Sequence, residues 1–221
     1  MTGQANGRPA PGLGGTGRVA DELYLIAHHE LTGRPHLAPR AVGLGLAGAL
    51  LAELILAGAI TVAAGAVVAA APGQAGDQLT AAVAAQIAGE HTHPVADWLA
   101  FVARTAPGEV AARLARAGYL APPPRRSWRA ARWVPVDPDC AFAPVARLNA
   151  ALDLSRPGDG QAVALAGLAA ACGLGPRLYL YLLPGARACI DALVPLLDPG
   201  LREVIAQTQT AVDAALLAHR I

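Results

Sequence analysis

Apolar positions follow three different periods along this chain. In Val19–Glu30 (VADELYLIAHHE) they fall at Leu23, Ile26 and Ala27, the i, i+3, i+4 spacing of a short amphipathic helix. Asp21 and Glu22 lie in its first turn, where the helix dipole favours negative charge. A turn centred on Gly33 follows. Arg40–Ile60 (RAVGLGLAGALLAELILAGAI) is apolar round its whole circumference, with Arg40 and Glu53 its only charges. Behind Pro39, this stretch predicts a helix over Arg40–Ala57, about 27 Å long, ended by Gly58. The period then shortens. Ala59–Val62 and Ala66–Ala69 flank Ala64-Gly65 and predict a hairpin.

A bilayer span needs about 20 uninterrupted apolar residues. The Arg40–Ala57 helix is shorter, contains Glu53 and leads straight into a hairpin. It is predicted as the buried axis of a helical domain.

Helices are predicted beyond it at Gln78–Gly89, Pro94–Thr105, Pro107–Gly118, Ala143–Leu154, Gln161–Cys172, Ala186–Leu197 and Arg202–Ala218. Trp98, Leu99 and Val102 share one face of the second of these. Val110, Leu114 and Ala117 face inward on the third, with Arg113 and Arg116 outside that line. A short element covers Gly175–Leu183, with Tyr179-Leu180-Tyr181 assigned to the core; Pro184-Gly185 reads as a break, and Pro199-Gly200 lies between the last two helices. Pro122–Val136 (PPPRRSWRAARWVPV) predicts a second hairpin carrying Arg125, Arg126, Arg129 and Arg132 with Trp128 and Trp133. Residues 1–18 are expected to be a disordered tail and residues 19–221 one domain. The fold class is mainly α: a single helical domain around a buried apolar helix, with two small β-hairpins.

Composition sharpens this picture. Hydrophobic residues make up 54% of the chain but aromatics only 4%, so the core is Ala, Leu and Val, which suits close helix packing. A net charge of +1 gives no global field for nucleic acid or lipid. All 17 basic residues are Arg, so every cation can make a forked contact with phosphate or carboxylate. Cys140, Cys172 and Cys189 are odd in number and lack CxxC spacing, which argues against a disulfide framework or zinc and for a reducing compartment. The tail has no apolar core of a secretory signal.

No GxxxxGK[ST], GxSxG, HExxH or DDxxD-like run occurs, and Gly43-Leu44-Gly45 follows no strand. Adjacent His28 and His29 diverge by about 100° on a helix, so with Glu30 they make a poor metal site. His91, His93 and Asp97 read as a loop entering a helix. No catalytic residue, metal or cofactor is assigned. Three functions compete. The arginine–tryptophan hairpin suits anionic lipid headgroups or a second subunit. EVAARLARAGYL followed by that hairpin has the outline of a winged-helix nucleic-acid binder, which the near-neutral charge disfavours. The third is an enzyme or small-molecule binder, with a core pocket lined by Tyr24 or Tyr179.

One resemblance ranks these. DELYLIAHHELTGR, TGRPHL, GLGLAGALLAELILAGAI, VADWLAFV and ARAGYL, in that order before a basic hairpin, resemble the Golgi phosphoprotein 3 (GPP34) family in a bacterial version. The resemblance implies a cytoplasmic adaptor, peripheral on the inner face of the membrane, that binds phosphatidylinositol 4-phosphate. It also implies self-association through the Arg125–Arg132 hairpin. One Trp and three Arg hold the headgroup in eukaryotic members. Their positions fall at Ala38, Ala47, Arg104 and Pro107, so only Arg104 survives. The expected lipid contacts are therefore Arg104, Arg40, Arg125, Arg126, Trp128, Arg129 and Arg132, with no nucleic-acid partner.

Overall fold

The computed structural model describes residues 16–70, 76–122, 132–152, 159–178, 181–182 and 184–218. It is mainly α. In chain order it has α1 (Val19–Ala27), α2 (Pro39–Leu56), β1 (Ile60–Ala63), β2 (Ala66–Ala69), α3 (Gln78–Gly89), β3 (His93–Pro94), α4 (Val95–Val102) and α5 (Ala106–Arg116). Then come β4 (Leu120–Ala121), β5 (Val134–Pro135), α6 (Ala143–Ala151), α7 (Gly160–Ala171), α8 (Gly175–Leu178), α9 (Ala186–Leu193) and α10 (Pro199–Ala218).

Helix α2 is the axis. It is the described helix long and apolar enough to cross a membrane, yet 72% of it is buried by the rest of the protein. α1, α4, α5, α7 and α10 all pack on it, and Leu46, Ala47, Ala49, Leu51, Ala52 and Leu54 are completely buried. Its glycines admit these neighbours. A Cβ on Gly48 would collide with the Thr208 hydroxyl of α10, and one on Gly45 with the Cys172 sulfur just past α7. A Cβ on Gly43 would sit 2.6 Å from the carbonyl oxygen of Ala103, just past α4. That atom is backbone and cannot turn aside. Gly43→Ala is therefore expected to cost about 1–3 kcal/mol despite a helix-propensity gain of up to about 1 kcal/mol. Gly108→Ala, which meets open space in α5, should be neutral or stabilising. Urea unfolding of the two variants checks this, and equal midpoints would contradict the close crossing.

β1 and β2 form the first hairpin, paired from Ile60↔Ala69 to Ala63↔Ala66. The two-residue loop puts Ala64 at φ 50° and Gly65 at φ 76°, both in the left-handed region that such tight turns require. β3 adds a third strand through Val67↔His93, which alternation alone did not reveal. The second hairpin is described only at its base, Leu120↔Pro135 and Ala121↔Val134.

Several expectations are corrected. Arg113 is buried rather than outside the apolar line of α5, and Ala117 is exposed because the helix ends at Arg116 and the chain turns away. Tyr181 is 54% exposed, edge-on to the Phe142 ring, and is not core; Tyr179 and Leu180 lie outside the described residues. Pro199 opens α10, three residues before the expected start at Arg202, since a proline in the first turn sacrifices no helical bond, and Asp198 accepts from Gly200 N at 2.8 Å.

Candidate functional site

Four of the exposed arginines fall beside two close backbone contacts, two at each. Arg40 lies in the first turn of α2 and Arg104 in the turn between α4 and α5, both exposed. The close approach of Gly43 to Ala103 joins them: Arg40 is one helical turn before it and Arg104 one residue after it. The helices that begin here, α2 and α5, both lack a side-chain cap. Pro39 and Pro107 have no N–H, and Val42 and Glu109 donate to the Ala38 and Thr105 carbonyls, so what these two N-termini offer an anion is chiefly the positive end of each helix dipole. The second pair arises where Gly33, at φ 60°, packs against the Trp133 carbonyl with no room for a Cβ. Arg34 and Arg132 each follow or precede that contact by one residue, and both are exposed. None of these four guanidinium groups has a hydrogen-bond or ion-pair partner among the described residues. Arg125, Arg126, Trp128 and Arg129 lie outside the described residues.

The connector from His28 to Arg40 carries two of these arginines and is firmly held. His28 stacks on Tyr24 with ring centroids 4.0 Å apart, and its Nδ1 lies 2.7 Å from the Tyr24 carbonyl. His36 N donates to the Ala27 carbonyl at 2.9 Å. Burial pushes the Tyr24 hydroxyl up to about 12 and the His28 imidazole below its usual range, so both are neutral at pH 7.

A second constellation is buried, and the sequence reading missed it. From α5, Arg113 donates Nε to Asp21 Oδ1 of α1 at 2.7 Å. It forks Nη1 and Nη2 onto both oxygens of Glu53 of α2, at 3.0 and 3.1 Å. Nη1 also reaches Asp77 Oδ2 at 2.9 Å. Asp77 is the N-cap of α3, its other oxygen accepting from Thr80 N at 2.8 Å in a capping box, and it pairs with Arg18 as well. Glu53 in turn caps α1 by accepting from Ala20 N at 2.8 Å. One guanidinium thus joins four helices. Nearby, buried Glu22 pairs with Arg147 of α6 at 2.9 Å.

A family model described as Golgi phosphoprotein 3 (GPP34) matches residues 19–215, from α1 almost to the end of α10. The chain belongs to this family. No curated protein matches it at a significant level.

Within this GPP34 domain the headgroup positions implied by the resemblance are spread over the α2–α5 corner. Ala38 is the N-cap of α2, Arg104 is in the turn and Pro107 in the first turn of α5, while Ala47 is completely buried. A methyl group inside the core cannot touch a headgroup, and Arg40, two residues after Ala38 in the first turn of α2, is an exposed cation beside that position. Among the described residues no group of three or more His, Cys, Asp or Glu is placed to hold a metal.

The buried cluster has its own electrostatics. Three carboxylates face Arg113 and Arg18, an excess of one negative charge. Burial pushes Asp21 up to about 6, against the pull of Arg113, and raises Glu22 as well, against that of Arg147. Burial also works against the charge on Arg113, but Glu53 and Asp21 outweigh it and hold the guanidinium above its usual range. With every face of the fork occupied, this arginine is a tie between helices and is not available to an external anion. The signal for it was present in the GPP34 domain's sequence. A glutamate in an otherwise apolar helix requires a buried cation, and Arg113 sits at i+3 between Val110 and Leu114.

Proposed function

We propose that this GPP34 domain is a peripheral membrane protein that binds anionic lipid headgroups, phosphoinositides among them, and acts as an adaptor rather than a catalyst. The observation that carries this reading is the α2–α5 corner. There, two exposed, unpartnered arginines, Arg40 and Arg104, stand beside two uncapped helix N-termini. Forked guanidinium groups match a phosphate monoester, and helix N-termini favour negative charge beside them. Arg34 and Arg132 add two more exposed cations, and Arg125, Arg126, Trp128 and Arg129 stand in the sequence between β4 and β5, the paired strands of the second hairpin. That hairpin is also the candidate for self-association, supported by Val136, 60% exposed just beyond β5. This reading puts the protein in the cytoplasm, on the inner face of the membrane. The buried carboxylates are all engaged by Arg113, Arg18 or Arg147, which favours a binding role over catalysis.

Each arginine near an anionic bilayer contributes about 1 kcal/mol. Arg40→Gln with Arg104→Gln is therefore expected to weaken co-sedimentation with vesicles containing phosphatidylinositol 4-phosphate roughly thirtyfold. Binding of the unaltered protein should fade as salt rises. Failure of that protein to sediment with any anionic vesicle at low salt would end the proposal.

A further inference from the structure

The connector between α1 and α2 closes on itself as a tight turn. His29 N donates to the Arg34 carbonyl at 2.8 Å, Gly33 N donates to the His29 carbonyl at 2.9 Å, and His28 bridges to Pro35 across its neck. Its tip, with Leu31 and Arg34, is exposed. The turn is fixed to the body at its base, by the His36 N–H bond to the Ala27 carbonyl and the stacking of His28 on Tyr24, and again where Gly33 meets Trp133. Histidines thus make both attachments at the base.

His28 and His36 are half-buried and line a narrow hollow with Glu30, Phe142, Arg177 and Tyr181. At about 50 Å³ it has room for a few waters and no larger ligand, so a charge arising there is poorly hydrated. Tyr24 faces His28 from α1, and His29 and Glu30 of the turn itself flank His36, with the His29 ring centroid 6.0 Å away. Arg177 faces the hollow from α8, and Val145 of α6 adds only apolar surface. Burial holds both imidazoles below their usual range, and cationic neighbours add to it: His36 for His28, and Arg177 and then His29 for His36. The Tyr24 carbonyl at His28, and Glu30 and the His28 backbone at His36, pull the other way and are outweighed.

We propose that the turn from His28 to His36 is an acid-released clasp, docked on α1 beside Arg177 while both imidazoles are neutral and let go when they are protonated. Above the ordinary imidazole value of 6.5, neither the docked nor the released turn takes up a proton, and docking has its full strength. As pH falls below that value the released turn is protonated first, because its rings are in water and away from Arg177, so docking weakens. One pH unit below it, each imidazole can cost up to about tenfold in the docking equilibrium. Release also frees Arg34 from the body. That consequence alone rests on the proposed lipid role.

Amide hydrogen exchange, expressed as protection relative to intrinsic rates, compares the His29, Gly33 and His36 N–H groups at about pH 7.5 and about pH 5.5. The expected result is a loss of about tenfold in protection at the lower pH, with no loss at Leu50 and Leu51 in α2. His28→Asn with His36→Gln, which keep side-chain N–H donors without a titrating ring, should abolish the difference. Ring-proton titration of the unaltered protein tests the same point without a substitution, and both histidines should titrate below 6.5. The inference is overturned if protection is equal at the two pH values, or if it falls in step with that of α2, which is global unfolding. It is equally overturned if the double variant keeps the full loss, or if both rings titrate at or above 6.5. Exchange is measured without lipid, so its failure leaves the vesicle-binding proposal standing, and failure of vesicle binding leaves the clasp.

Discussion

Replacing Arg113 by methionine is expected to destabilise the protein by about 3–5 kcal/mol at neutral pH. Methionine keeps much of the volume but leaves Asp21, Glu53 and Asp77 facing one another without the guanidinium that each now contacts within 3.0 Å. Arg18 remains, yet it reaches only Asp77. A domain of this size is stable by about 5–15 kcal/mol, so the loss takes a large share of the total. The penalty should shrink towards about pH 4, because the stranded carboxylates can then take up protons. Urea unfolding at both pH values checks this. An unchanged midpoint at neutral pH would mean that the fork contributes nothing net. Adding Asp21→Asn to Arg113→Met should recover part of the loss, a coupling that simple damage to packing would not produce.

The second large effect is a pH dependence centred on Asp21. Its folded pKa is raised to about 6 from an ordinary value of 3.8, so between those limits the native state holds a proton that the unfolded chain has released. Stability from this group is complete below the unfolded value and is lost as pH rises through about 6. The excursion is on the order of 2–3 kcal/mol. Buried Glu22 acts in the same direction, whereas His28 and His36, whose folded pKa values are lowered, act in the opposite one. Comparison with Asp21→Asn removes these common contributions. The unfolding free energy of the unaltered protein, relative to the variant, should fall by that amount from about pH 4 to about pH 7. A difference that stays flat across the window would show that Asp21 ionises as freely in the folded chain as in the unfolded one.

The axis of the fold was legible because α2 is apolar on every side, a pattern that only complete burial satisfies. The first hairpin was legible from its change of period at Gly58. The Arg113 fork was not, although both halves were visible. Arg113 falls on the inward stripe with Val110 and Leu114, and a charge there was read as outward because partners 92 and 60 residues away, Asp21 and Glu53, have no local signature. Asp21 and Asp77 also have ordinary local explanations, a first-turn acid and an N-cap, which concealed their second contacts. At the candidate lipid corner, Arg40 and Arg104 were both named from the sequence. What joins them, the bare backbone crossing of Gly43 and Ala103, is a property of absent side chains and leaves no periodic trace. Tyr181 failed for a related reason: a tyrosine in a Leu-rich run fits a core, and only the short helix before it turns the ring outward.

The jacket around α2 has a consequence for how the protein can meet any surface. An apolar helix that could slide out would make attachment a slow, costly conversion between two shapes. Here, withdrawal would strip Leu46, Leu50, Leu51 and Leu54 from helices on all sides and break the Glu53 fork, a cost comparable to unfolding the domain. The helix therefore stays where it is, and the proposed lipid contact would be made by a finished, rigid body whose rim alone changes its neighbours. On that proposal, attachment would form and dissolve quickly, its strength set by the number of arginines on that rim.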